Sequence, residues 1–256
     1  KEADFQSVEL TRIYRQSDPH FANLLNEIRT CSINAGSAIR EINQRYFPEP
    51  QDVSEHIALC TTNKIADDIN DRNLMRHPGL EHKFYAKIRG EVPEERFRPV
   101  KTKLVLKDGL KVMITANGAD YVNGDIGILH FRNDKIYVEL ETQTVQVKMH
   151  IWEYYAYEVF INDDGEPDIE IVPVGDIRNY PLRLAYAMSI HKSQGQGLDK
   201  VFLSLGSGFF APGQLYTALS RTTTLGGLIM DHPIRLWDAI EDEQVKEFYE
   251  NLEDSV

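Results

Sequence analysis

The sequence predicts an α/β fold, a parallel-sheet domain interrupted by a small antiparallel β-barrel or sandwich. Three observations carry that prediction. Apolar runs at His56–Cys60, Leu184–Ile190 and Val201–Leu205 each stop abruptly at small or polar residues, as buried strands of a parallel sheet do. Helical patterns stand beside them: Phe21, Leu24, Leu25 and Ile28 recur at i, i+3, i+4, i+7, and Ile65, Ile69 and Leu74 mark a second helix. Between Ile128 and Pro181, by contrast, short β-rich segments alternate with turn residues.

Taken in order, Val8–Tyr14 reads as a strand leading into Arg15-Gln16-Ser17-Asp18. Ser17 or Asp18 then serves as N-cap for a helix from Pro19 to about Arg29. Glu41–Gln51 reads as a further helix with a Pro-rich loop after it. The strand His56–Cys60 ends in Thr61-Thr62-Asn63, and a helix from Lys64 to about Met75 follows. A strand, a small polar turn and a helix form a corner suited to an anion or a backbone; a plain helix cap is the alternative reading of Thr62. His77–Pro99, charged and aromatic, reads as a loop-rich excursion.

Leu104–Met113 is expected to form two strands joined at Asp108-Gly109. Tyr121–Gly127 contains Asn123-Gly124, a tight-turn dipeptide, and Gly127 is expected to meet a backbone constraint. The β-rich segments Ile128–Phe131, Lys135–Leu140, Val145–Met149, Tyr155–Ile161 and Ile169–Pro173 make up the insert. Its aromatics Trp152, Tyr154, Tyr155 and Tyr157 invite base stacking, although alternating strand positions favour core or cross-strand packing. The α/β pattern resumes at Leu182. Pro212 suits the first turn of a helix that Arg221 ends, aimed out of the core. Ile234–Leu252 reads as one acidic helix.

Composition sets limits on function. With 256 residues, 42% hydrophobic and 27% charged, the chain suits one large domain carrying a smaller one. No apolar run approaches the ~18 residues of a membrane span, so no membrane partner is expected. Cys31 and Cys60 are too few for a disulfide scaffold, and fit reduced thiols in a cytoplasmic protein. The histidines lack metal-ligand spacing, so no metal site is expected. A net charge of -12 weighs against nucleic acid, but much of the excess lies in the C-terminal segment, and a groove needs only local positive charge. A serine hydrolase built from Ser204, Ser207 or Ser220 with His191 and Asp199 lacks a G-x-S-x-G elbow.

The most specific signal is the pair Ser189-Ile190-His191-Lys192-Ser193-Gln194-Gly195 and, about twenty residues on, Gln214-Leu215-Tyr216-Thr217-Ala218-Leu219-Ser220-Arg221. In order and spacing this pair resembles motifs V and VI of superfamily 1B DNA helicases, the RecD-like and Pif-type enzymes. Tyr14-Arg15-Gln16 resembles their motif IV, although an arginine there also suits a loop cap or an ion pair. The Leu104–Met113 and Tyr121–Gly127 segments resemble elements of the same family.

The resemblance implies a second RecA-like domain of the P-loop NTPase type, over 1–115 and 182–256, with an inserted SH3-like barrel over 116–181. It implies arginine fingers at Arg221 and Arg15, and nucleotide contacts at Gly195, Gln196, Gln16 and Gln214. Nucleic-acid contacts are implied at Ser189, His191, Lys192, Thr62, Asn63 and Tyr216. ATP and Mg²⁺ would serve the full-length enzyme, and its partner would be single-stranded DNA or a duplex junction. No G-x-x-x-x-G-K-[ST] stands in the sequence. The chain is therefore expected to be the C-terminal portion of an ATP-dependent DNA helicase, of 5′ to 3′ polarity by the resemblance, inactive without an N-terminal RecA-like domain and with no cofactor bound to it alone. The alternative is a non-enzymatic single-strand-binding or protein-docking module derived from such a helicase.

Overall fold

A computed structural model describes residues 16–49, 51–162, 166–206 and 208–247. The expected strand Val8–Tyr14 and the candidate Arg15 lie outside the described residues. The elements begin with helices α1 (Pro19–Arg29) and α2 (Ala35–Ile42), strand β1 (Ile57–Cys60) and helix α3 (Asn63–Arg76). Short strands β2 (His82–Tyr85), β3 (Lys87–Gly90), β4 (Lys103–Leu106) and β5 (Lys111–Ile114) follow. Next come β6 (Ile126–Arg132), β7 (Lys135–Glu139), β8 (Thr144–Val147), and the long pair β9 (His150–Ile161) and β10 (Pro167–Asn179). The chain continues through β11 (Leu182–Leu184), β12 (Ala187–Ser189), β13 (Val201–Ser204), α4 (Gln214–Leu219) and β14 (Leu228–Met230).

Two compact units result. One comprises the chain up to Asp67 and again from Ala187; the other is Asp68–Tyr186. In the first, a parallel sheet runs in the order β12-β1-β13-β14. Every residue of β1 is buried, because the central strand of a parallel sheet is covered on both faces. Helix α1 forms as its periodicity requires: Phe21, Leu24, Leu25 and Ile28 are all buried. Asp18 caps it by accepting from the amides of His20 at 2.9 Å and Phe21 at 3.2 Å, and Pro19 occupies the first turn.

The second unit is antiparallel. A five-stranded sheet runs β11-β5-β6-β7-β8, and its inner face joins Leu110, Val112, Leu129, Ile136, Val138 and Val145 in one core. A separate sheet runs β3-β10-β9, and β2 pairs with β4. Gly127 lies where β6 crosses β7: a Cβ there would sit 2.3 Å from the Glu139 carbonyl oxygen, so the close approach excludes a side chain. Among the described residues no helix is long and apolar enough to cross a membrane.

Several expectations need correction. The helix expected over Glu41–Gln51 ends where it was to begin; Ala35, Ala38, Ile39 and Ile42 form the buried stripe of α2 instead. His77–Pro99 is not loop throughout, since β2 and β3 lie within it. The two strands expected over Leu104–Met113 do form, as β4 and β5, with Gly109 at φ +82° turning the chain between them; they pair with different neighbours. The apolar run Leu184–Ile190 divides: Leu184 ends an antiparallel strand of the second unit, whereas Ala187–Ser189 is a parallel strand of the first. Pro212 precedes α4 rather than opening it, with Gly213 at φ +66° as the N-cap. The single acidic helix is broken: Leu236–Asp238 is a short 3-10 turn, helix resumes at 243–247, and the remainder lies outside the described residues. Of the insert's aromatics, Tyr155 and Tyr157 are exposed and belong to no core.

Candidate functional site

In the first unit, β1, β12 and β13 end at the same edge of the parallel sheet, the edge where open α/β sheets place ligands. The loops leaving it are Thr61-Thr62-Asn63, Ile190–Gly195 and the stretch from Leu205 to Gly213. Parallel pairing of Cys60 with both Ser189 and Ser204 brings them together. Side chains then fix them. Ser189 Oγ donates to Asn63 Oδ1 at 2.8 Å, tying the first loop to the second. Thr61 Oγ1 donates to the Leu205 carbonyl at 3.2 Å, tying the first to the third. Thr62 Oγ1 accepts from the Ile65 amide at 3.3 Å and so caps α3. The cap and a surface role are compatible, because Asn63 itself remains exposed.

The second loop folds back on itself. The Ile190 amide donates to the Cys60 carbonyl at 2.9 Å, and Ser193, fully buried, donates its hydroxyl to the Ile190 carbonyl at 2.7 Å. That turn leaves His191 and Lys192 exposed, side by side. Gly195 adopts φ +85°, which glycine reaches without strain.

Arg221 corrects the expectation of a side chain aimed out of the core. It follows α4 by two residues and is 6% exposed. Its Nε donates to the Thr217 carbonyl at 2.9 Å and Nη2 to Ser220 Oγ at 2.9 Å; Nη1 reaches the carbonyls of Ser193 at 3.3 Å and Gln196 at 3.4 Å. The guanidinium is thus bedded under the loop that carries His191, Gly195 and Gln196. Gln16 comes to the same place: its amide donates to the carbonyls of Ser220 at 3.0 Å and Thr222 at 3.4 Å.

Gln214 is buried and acts as a brace. Its Nε2 donates to the Thr61 carbonyl at 3.4 Å and its Oε1 accepts from the Phe210 amide at 3.1 Å. Tyr216 is half-buried on the same helix. The site therefore unites Thr62, Asn63, Ser189, His191 and Lys192 along one set of loops, and Gln16, Gln196 and Arg221 beneath them. Thr61, Ser193 and Thr217 hold those loops in place; the sequence put each of them inside a quoted stretch but assigned none of them a role. Asp231, which accepts from Ser204 Oγ at 2.9 Å and the Leu205 amide at 3.1 Å, left no such signal.

Burial beside Asp231 pushes the Cys60 thiol up to about 12, so it is inert packing rather than a nucleophile. Among the described residues no three His, Cys, Asp or Glu side chains converge as a metal-binding group.

No family model matches the chain. Individual proteins do. It is 30% identical to the ATP-dependent DNA helicase Pif1 of Bdellovibrio bacteriovorus, over 97% of this chain and 55% of that protein. The crystal structure of Bacteroides sp Pif1 in complex with ADP-AlF4 superposes with a TM-score of 0.80 at 30% identity, covering 97% of this chain and 57% of that one. Bacteroides Pif1 bound to single-stranded DNA gives 0.70 at 30% identity over the same shares. The chain spans between 34% and 55% of the length of the curated relatives it matches. Across nearly all of its own length, then, this chain is similar to one portion of the Pif1-type superfamily 1 DNA helicases.

Proposed function

We propose that this chain is the C-terminal portion of an ATP-dependent DNA helicase, a second RecA-like domain with an inserted SH3-like barrel. The carrying observation is the bedding of Arg221 under the His191–Gln196 loop. Its guanidinium, permanently charged, donates to the carbonyls of Thr217, Ser193 and Gln196 and to the Ser220 hydroxyl. A phosphate oxygen is a stronger acceptor than any of these. Arg221 therefore suits the role of an arginine finger that exchanges carbonyls for the γ-phosphate, and the resemblance gives Arg15, the residue before Gln16 in the sequence, as its companion.

ATP would be held chiefly by the parent's other RecA-like domain, with Mg²⁺ neutralising its phosphates. From this chain it would meet Arg221, Gly195, Gln196 and Gln16, while Gln214 links the finger's helix to the Thr61 carbonyl. Exposed His191, Lys192 and Asn63, with half-buried Thr62 and Tyr216, would track the phosphates of a single strand, and buried Ser189 would act through Asn63 rather than touch the strand itself; the similar Bacteroides Pif1 is solved bound to single-stranded DNA. The Ser189–Asn63 hydrogen bond would make the two DNA-facing loops move together. Translocation 5′ to 3′ follows the resembling enzymes.

The test compares the purified chain with its full-length parent in ATP, Mg²⁺ and oligo-dT. The parent should show DNA-stimulated hydrolysis and the chain alone none above blank. Metal-dependent turnover by the chain alone, lost on Arg221→Ala, would refute the division of labour proposed here.

A further inference from the structure

The motor reading gives no work to the far half of the β9–β10 ribbon. Its register sets Tyr155, Tyr157, Val159 and Ile161 opposite Pro173, Ile171, Ile169 and Pro167. Directly opposed residues of antiparallel strands share a face. One face is therefore apolar through four successive pairs, and it is open to solvent: Tyr157 is 76% exposed, Val159 71% and Ile169 62%. The other face sets Glu158 opposite Glu170 and Phe160 opposite Asp168. β3 covers β10 only along Gly175–Arg178, and β9 is the outermost strand. Among the described residues, none pairs its backbone with the outer edge of β9 from Tyr155 to Ile161.

An isolated two-stranded ribbon is marginal in water, and a twelve-residue edge strand with an apolar face is a template for another strand. Charge selects which strand. Between His150 and Asn179 the chain carries eight Asp and Glu against one Arg. That field repels nucleic-acid phosphates, so Tyr155 and Tyr157 are poor platforms for bases despite their exposure. It equally repels a second copy of the same ribbon. We propose that β9 receives an extended segment of a partner protein as an added strand, one in which apolar residues alternate with Lys or Arg. The apolar residues would lie on the Tyr157–Ile171 face and the basic ones on the Glu158–Glu170 face. This inference uses no nucleotide or DNA chemistry and stands apart from the motor reading.

The probe is a fluorescein-labelled decapeptide of alternating Lys and Val, titrated by anisotropy against the chain and against the full-length parent. A block peptide of the same composition, an alternating Glu-Val peptide and oligo-dT serve as comparators. The alternating basic peptide should bind at least about tenfold tighter than each comparator, and to the parent as to the chain. Tyr157→Ser should weaken it, and Glu158→Lys with Glu170→Lys should weaken it at least about tenfold and turn the preference toward Glu-Val, with unchanged circular dichroism. Equal binding of the block peptide would reduce the effect to net charge and overturn the proposal. So would loss of binding in the parent, preferential binding of oligo-dT that Tyr157→Ser abolishes, or a dimer in sedimentation that Tyr157→Ser dissociates.

Discussion

The loops at the end of the parallel sheet and the far half of the β9–β10 ribbon treat their side chains in opposite ways. At the sheet edge, Thr61, Ser193, Gln214 and Arg221 are buried polar groups with hydrogen-bond partners. On the ribbon, Tyr157, Val159 and Ile169 are apolar groups in solvent. A buried polar network fixes geometry, because each lost partner leaves a desolvated group behind. An exposed apolar face fixes nothing within the chain. Such a face is what the proposed partner strand would cover. The two proposed roles, positioning chemistry and recruiting a partner, would leave such opposite imprints on one polypeptide.

Substitutions in the two regions should differ in cost in a definite order. Leu59→Ala, in the fully buried central strand, should cost about 2–5 kcal/mol in chemical denaturation. Gly127→Ala forces a Cβ to within 2.3 Å of the Glu139 carbonyl oxygen, so β6 and β7 must part. A loss of about 1–3 kcal/mol is expected, read from the same titration. Gln214→Ala strands the Thr61 carbonyl and the Phe210 amide, and should cost about 1–2 kcal/mol. Tyr157→Ser should move stability by less than about 0.5 kcal/mol. A large loss there would mean that the ribbon face is packed within the chain, and the comparison would fail.

The two cysteines differ in burial as well. Burial holds the Cys60 thiol near 12, so at pH 8 iodoacetamide should modify half-buried Cys31 well before Cys60 in the native chain. The sign for stability follows. Cys60 ionises in the unfolded chain at its ordinary value of 9.0, so stability is intact below pH 9 and declines from there toward pH 12.

What the sequence disclosed, and what it hid, follows the range of the forces involved. Helix α1 was legible because its cap, its Pro19 and its apolar stripe are all local. The order of the polar loops was legible because each follows an apolar strand. The split of Leu184–Ile190 was not: an unbroken apolar run reads the same whether its strands join one sheet or two. The burial of Arg221 was hidden because its acceptors at Ser193 and Gln196 lie more than twenty residues away. Tyr155 and Tyr157 looked like packing residues because alternation reports that a strand is two-faced without reporting what covers either face. α2 was displaced because Gly36 and Ser37 argue locally against helix, and burial of Ala35, Ala38 and Ile39 overrides them.

The most direct test of the account is a split measurement on Arg221→Ala in the full-length parent, with DNA-stimulated ATP turnover and oligo-dT affinity read on the same protein. Turnover should fall by about a thousandfold or more while affinity stays within about twofold, as for a finger that meets only the nucleotide. Turnover that survives, or affinity that collapses with turnover intact, would contradict the assignment of Arg221 and with it the proposed half-motor.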